Sequence, residues 1–198
     1  ASIKNYHWVK ASLTLFEEFV ESGGKRVVVA GSCAEYDWGF ENYSEDTTPL
    51  LPVTLYGICK HSLQMMLSSY ASLKGLSFAW GRIFSIYGPR ENPKRLFASV
   101  IQALLQGHTV KCNNGALTRD YLHVNDVASA FVALLNSDVQ GPINIGSGSG
   151  VTLKTIVGKI EKIIGNYGCL RLNNQPNAAN EPPIIIADTK RLNNIGWT

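Results

Sequence analysis

Lys25-Arg26-Val27-Val28-Val29-Ala30-Gly31-Ser32 is the stretch whose reading decides the fold. A β-branched run without polar alternation marks a strand covered on both faces, as in a parallel sheet with helices above and below it. The preceding residues supply one such helix. Over residues 1–24, Val9, Leu13, Phe16 and Val20 recur at helical spacing, and Gly23-Gly24 stop the pattern. A helix feeding a buried parallel strand predicts an α/β protein. Such a strand needs earlier strands beside it, so the pattern also predicts material upstream.

The next helical pattern runs over residues 55–73, with Tyr56 and Lys60 four apart on one face. A Lys ammonium close to a phenol favours the phenolate, which lets a Tyr give or take a proton near neutral pH. Tyr-x-x-x-Lys also occurs by chance on many helices, so the spacing alone carries little. Position adds weight. Ser32 ends the buried strand, and ligands of open α/β sheets bind beyond the carboxyl ends of strands. Ser32, Tyr56 and Lys60 together make a candidate carbonyl-polarising trio.

Composition narrows the function classes. With 198 residues, 45% of them hydrophobic, the chain can build a core and is not a disordered segment. A net charge of +3 does not point to nucleic acid, and no apolar run is long enough to predict a membrane-spanning helix. Cys33, Cys59, Cys112 and Cys169 lie far apart without a CxxC pair, which suits neither a zinc site nor a disulfide framework. No metal is expected, and reduced thiols point to the cytoplasm.

Five blocks in order resemble the extended short-chain dehydrogenase/reductase family, the NAD(P)-dependent nucleotide-sugar epimerases, dehydratases and reductases. They are residues 28–36 (Val28 to Tyr36), residues 44–60 (Ser44-Glu45-Asp46-Thr47-Thr48-Pro49, then Tyr56-Gly57-Ile58-Cys59-Lys60), Gly81 to Pro89, Arg119 to Ala128, and Asn144 to Gly148. The resemblance implies that Tyr56 is the acid/base, that Lys60 holds the nicotinamide ribose, and that Ser32 hydrogen-bonds the reacting sugar oxygen. It places Phe84 against the nicotinamide and Ser85 where many relatives have a substrate-touching Asn. Arg95 and Arg119 fall at positions that grip a nucleotide diphosphate, a task that suits the guanidinium fork. The implied cofactor is NAD or NADP, the implied partner a nucleotide-diphosphate sugar. A homodimer through the helix bearing Tyr56 and the helix before its strand is also implied, with the apolar stripe over residues 9–20 as a contact surface unless the sheet buries it.

Departures sharpen the reading. Relatives that dehydrate sugars carry Asp-Glu after the Ser or Thr; here Cys33 and Ala34 stand there, which disfavours dehydration because alanine cannot transfer a proton. The surroundings of Glu35-Tyr36-Asp37-Trp38 and Trp80-Gly81-Arg82 resemble sugar-nucleotide reductases that make deoxysugars. The reading is therefore reduction of a 4-keto-deoxysugar, with 4-epimerisation as the alternative and a non-catalytic binding piece as the alternative of another class. No glycine fingerprint for a dinucleotide precedes Ser32; three βαβ units of about 30 residues each would place it roughly 90–100 residues upstream. Gly146-Ser147-Gly148-Ser149-Gly150 has the wrong spacing and is rejected as that site.

The sequence thus reads as the C-terminal half of a Rossmann-type parallel-sheet domain over residues 1–92. Residues 93–198 read as mainly a small α/β substrate-binding domain, with some segments returning to the Rossmann sheet. Within it, helices are expected from Pro93 to about Gln106, from a cap at Asn125 or Asp126 to Asn136, and from Thr152 to near Gly165. Strands are expected at residues 109–112 and 184–186, with Asp188 capping a last turn and Gly196-Trp197 suggesting a second truncation. His123 is expected to be structural.

Overall fold

The valine run forms the edge of a three-stranded parallel sheet in the computed structural model, which describes residues 2–113, 115–168, 170–173 and 182–197. Strand β1 (Arg26–Ser32) pairs with β3 (Ser77–Ile83), which pairs with β7 (Gly141–Ile145). Helices α1 (Lys4–Glu21) and α2 (Leu55–Lys74) cover one face; Phe16, Leu63, Leu67 and Ala71 pack there on Phe78 and Trp80 of β3. On the other face α4 (Val124–Leu135) sets Val127, Ala130 and Leu134 against Ala79, Ile143 and Ile145. Period-2 alternation along β3 thus sends its aromatics to one helical layer and Ala79 to the other. The stripe of Val9, Leu13, Phe16 and Val20 faces this core rather than a partner; the exposed apolar residues of α1 are Tyr6, Trp8, Leu15 and Phe19.

A second sheet lies beyond the first. Its order is β2 (Asn42–Tyr43), β10 (Ile184–Ala187), β6 (Thr118–His123) and β4 (Ser85–Tyr87), with β8 (Gly150–Thr152) antiparallel to β6. The chain leaves the first sheet and enters the second at Phe84, whose N–H still bonds to Ile145 O at 3.0 Å. Residues 81–87 therefore serve two sheets, where the sequence suggested one strand and a turn. Helix α3 (Leu96–Leu105) packs on α5 (Leu153–Ile164) through Val100, Leu104, Ile156, Val157 and Ile160, beside the two-stranded β5 (Val110–Asn113) and β9 (Leu170–Asn173).

Local chemistry corrects three element ends. Helix α3 starts at Leu96, not Pro93, because Asn92 holds a turn: its Oδ1 accepts Lys94 N–H at 3.0 Å, its carbonyl accepts Arg95 N–H at 2.8 Å, and Arg95 stays extended. Helix α4 is capped by His123, whose Nδ1 accepts Asn125 N–H at 3.2 Å, so neither Asn125 nor Asp126 is the cap. Asp188 does meet the last helix, α6 (Lys190–Asn194), accepting Lys190 N–H at 3.0 Å, although Thr189 is the capping residue. Thr152 caps α5 as expected, accepting Thr155 N–H at 3.2 Å. Cys169 lies outside the described residues.

Candidate active site

Ser32 reaches the carboxyl end of β1 and turns the chain into a short 3-10 turn, Cys33–Glu35. Its Oγ accepts Ala34 N–H at 3.2 Å, while the Glu35 carboxylate reaches back to accept Ser32 N–H at 2.8 Å. This is a capping box, Ser-x-x-Glu, a pattern visible in the sequence and missed in its reading. One consequence is chemical. With one of its two lone pairs taken by Ala34 N–H, the Ser32 hydroxyl retains its O–H to donate.

Glu35 is fully buried and anchors a network beneath this turn. Its oxygens accept Trp80 Nε1–H at 2.9 and 3.1 Å and Arg82 Nε–H at 3.0 Å. Arg82 donates onward to Tyr36 Oη at 3.1 Å, with its guanidinium 4.7 Å from the centre of the Tyr36 ring. Tyr36 Oη then donates to Asn144 Oδ1 at 2.8 Å. Burial pushes the Tyr36 phenol up to about 12, despite the opposing Arg82 charge, so it stays protonated and able to donate. Gly31 makes room for this arrangement, since a Cβ there would lie 2.1 Å from Trp80 Nε1.

Helix α2 supplies Tyr56. Thr54 caps it by accepting Gly57 N–H at 3.0 Å. A Cβ on Gly57 would sit 2.2 Å from Ala34 O, so only glycine lets the first turn of α2 rest on the turn after Ser32. Tyr56, one residue earlier, is 42% exposed. Lys60 is fixed by donating to Ala30 O at 2.8 Å, on the strand that carries Ser32. Burial pulls its ammonium below the ordinary 10.5, with the Glu35 carboxylate opposing.

Six of the seven residues nominated from sequence meet in one cleft of about 390 Å³: Ser32, Tyr56, Phe84, Ser85, Arg95 and Arg119. Lys60 stands outside it, in a neighbouring recess of about 380 Å³ between α1 and α2 that shares Tyr56 and is also lined by Asn5, Trp8, Ser12 and Cys59. Tyr56 therefore forms the wall between the two. Arg119 is steadied by donating to Thr118 O at 2.9 Å and Pro183 O at 3.2 Å; Arg95 is exposed at the head of α3. Ile83, Ile86, Leu96, Phe97 and Tyr121 give the cleft an apolar wall. Cys33 also lines it, and burial pushes its thiol up to about 12, which leaves it a protonated packing residue.

The glycine-rich turn at residues 146–150 is filled by an internal anion. Asp120, fully buried, accepts Ser147 N–H at 2.7 Å, Gly148 N–H at 2.9 Å and Ala187 N–H at 3.2 Å. Donors already committed to a carboxylate cannot cradle a pyrophosphate, which gives the physical reason behind the rejection of this turn. Sequence reasoning missed Asp120, Glu35 and Arg82, whose roles depend on partners far along the chain, and Glu91, which also lines the cleft. Among the described residues, no group of three or more His, Cys, Asp or Glu could hold a metal ion, and no helix is long and apolar enough to cross a membrane.

With this geometry in place, comparison with known proteins is specific. The pattern of the NAD dependent epimerase/dehydratase family matches residues 4–146. UDP-glucose 4-epimerase of Corynebacterium glutamicum is 28% identical over 217 aligned positions, which cover 98% of this chain and 65% of that protein. The structure of UDP-glucose 4-epimerase from Thermotoga maritima with UDP-glucose superposes with a TM-score of 0.83 at 27% identity, covering 94% of this chain and 62% of the other. The Thermus thermophilus UDP-glucose 4-epimerase complex with NAD gives a TM-score of 0.78 at 25% identity, with 94% and 62% covered. The chain thus spans a little under two thirds of the length of these proteins.

Proposed function

The chain belongs to the NAD dependent epimerase/dehydratase family, and on that premise we propose that it carries the proton-transfer and sugar-nucleotide face of an NAD-dependent 4-epimerase of a nucleotide-diphosphate sugar. The observation that supports this reading most is the single cleft that gathers a Ser, a Tyr and two Arg side chains from β1, α2, the head of α3 and β6. The overall resemblance to UDP-glucose 4-epimerases with UDP-glucose or NAD adds to it.

The residues present fit the nicotinamide end of a dinucleotide. Lys60 commits one of its three N–H donors to Ala30 O, near the carboxyl end of β1, and retains others for ribose hydroxyls next to Tyr56. They do not supply the pyrophosphate turn, since Asp120 fills the one glycine-rich turn of this stretch. When bound, NAD supplies the acceptor and donor of a hydride.

The chain's own groups do the rest. Arg95 and Arg119 bind the diphosphate as charge-assisted donors. The Ser32 hydroxyl donates to the oxygen on the reacting carbon, fixing and polarising it. Tyr56 Oη takes the proton from that hydroxyl as the carbon becomes a ketone and returns it when the ketone is reduced. Ala34 offers no group to eliminate water.

Net reduction of a 4-keto-deoxysugar, the reading drawn from sequence, shares this machinery. Its support was the likeness around Glu35-Tyr36-Asp37-Trp38 and Trp80-Gly81-Arg82. None of these residues lines the cleft; Glu35, Tyr36, Trp80 and Arg82 form the network beneath it. That likeness therefore places nothing at the reacting centre, and the similarity to UDP-glucose 4-epimerases favours epimerisation.

The proposal extends to a homodimer through α1 and α2, supported by exposed Trp8, Leu15, Met65 and Met66. It also extends to a reducing, cytoplasmic setting, supported by the free thiols of Cys33 and Cys59. The test is interconversion of UDP-glucose and UDP-galactose with NAD by a form of the protein extended upstream to carry the dinucleotide-binding turn. Tyr56→Phe is expected to lose about 10²–10⁴-fold in rate with UDP-sugar affinity kept. Steady consumption of reduced cofactor with a 4-keto sugar, and no epimerisation, would select the reductase instead.

A further inference from the structure

We propose that Asp120 is a positioning residue for Arg119, the buried carboxylate that fixes where this guanidinium stands for the diphosphate of the bound sugar nucleotide. The inference rests on the nucleotide-sugar reading above and deepens it. Strand β6 alternates: Arg119 and Tyr121 line the cleft, while Asp120 and Leu122 are buried on the opposite face. Arg119 also stands where the neighbours of β6 change over. On one side β10 pairs with Thr118 and Arg119, then leaves at Ile186 to pair with β2. On the other side β8 pairs as far as Asp120, and β4 takes over at Tyr121. The backbone ladder that elsewhere fixes a strand is interrupted beside this arginine.

The Asp120 side chain supplies what the ladder lacks. Its Oδ1 accepts Ser147 N–H at 2.7 Å and Ser147 Oγ–H at 2.6 Å, on the turn that leads into β8. Its Oδ2 accepts Gly148 N–H at 2.9 Å and, on β10, Ala187 N–H at 3.2 Å. The turn is shaped to this carboxylate, since a Cβ on Gly146 would lie 2.7 Å from Oδ2. Four donors on one carboxylate thus clamp β10 and the turn before β8 to β6, one residue past Arg119. Pro183 O, which accepts from Arg119 Nη1 at 3.2 Å, lies just before β10, so the clamp also fixes a carbonyl on which the guanidinium rests. A diphosphate gripped through a planar fork demands a fixed orientation of that fork.

The test is calorimetric titration with UDP of the wild type, Asp120→Asn, Arg119→Met and the double variant. By charge alone, removing an anion beside the site would tighten UDP binding; the clamp predicts the reverse. Asp120→Asn turns an NH2 group onto N–H donors and is expected to weaken UDP binding about tenfold. In the Arg119→Met background, where Arg95 still holds the diphosphate, the same change is expected to cost nothing further. Equal losses with and without Arg119, no loss in either background, or tighter binding by Asp120→Asn overturns the inference while leaving the function standing. Ser147→Ala, which removes one donor and keeps the carboxylate, covers the case in which Asp120→Asn does not fold. It is expected to give a smaller loss that again needs Arg119, and unchanged UDP affinity overturns the inference. A wild type that does not bind UDP overturns the function and this inference with it.

Discussion

Replacing Glu35 with alanine tests the network that holds the turn after Ser32. The side chain is 0% exposed and is the common acceptor for Ser32 N–H, Trp80 Nε1–H and Arg82 Nε–H, at 2.8 to 3.1 Å. Removing it leaves Arg82, itself 1% exposed, without its counter-charge. Breaking a buried pair from one side costs about 3–5 kcal/mol, and each neutral donor left dry adds about 1–3 kcal/mol. Water entering the vacated space offsets part of this, so a loss of about 5 kcal/mol is expected, comparable with the lower end of a domain's whole stability. At about 2–4 °C per kcal/mol for a chain of this size, Tm falls by roughly 10–20 °C. Arg82→Met is expected to cost less, because Glu35 keeps the Trp80 and Ser32 donors. Replacing both, as Glu35→Leu with Arg82→Met, is expected to recover part of the single losses. Urea unfolding followed by circular dichroism measures all three. A Glu35→Ala variant within about 1 kcal/mol of the parent would refute the reasoning.

Three further outcomes follow from named contacts. Gly57→Ala, which in an ordinary helix stabilises by about 0.5–1 kcal/mol, is expected to destabilise by about 2 kcal/mol or more because its Cβ meets Ala34 O, and to slow the reaction by shifting Tyr56; unchanged Tm and rate would contradict the close approach. Glu45 accepts Asn144 N–H at 2.7 Å, yet burial raises its carboxyl above the ordinary 4.5. The folded state then holds a proton that the unfolded state has released, so this contribution to stability is present below the unfolded value and is lost as pH rises through the folded one. Denaturant titrations should show the wild type losing stability relative to Glu45→Gln across that weakly acidic window, and a pH-independent difference would count against it. Cys33, with its thiol pushed up to about 12, should resist alkylation near neutral pH in the folded protein and react once unfolded; rapid modification of the native chain, read by peptide mass, would show the burial argument to be wrong.

Much of the fold was legible because its signals are local. The Val27 to Ala30 run, the stripe through Val9, Leu13, Phe16 and Val20, and the Thr152 cap each declare themselves within a few residues, through side-chain period and backbone hydrogen-bond demand. The legible part of the candidate site is of the same kind: Tyr56 and Lys60 are four apart on one helix, and Ser32 ends a strand. What was misplaced depended on competition between neighbours. Asn92 claims the backbone that Pro93 would have opened as a helix, and the His123 ring outcompetes Asn125 and Asp126 for a cap.

The sequence by itself determined the α/β pattern, the helix that presents Tyr56 and Lys60, and the resemblance that nominated Arg95 and Arg119. Only the tertiary structure decided that six nominated side chains share one cleft while Lys60 stands behind Tyr56 in the next. It also decided that Glu35 belongs with Arg82 and that Asp120 fills the turn at 146–150. The physical reason is range. Helix and strand preferences are written in spacings of two to four residues, whereas buried charges choose partners 27 to 67 residues away, as Asp120 does with Ser147 and Ala187. Those partners are brought within hydrogen-bond distance only after the sheets have formed, so no local pattern announces them.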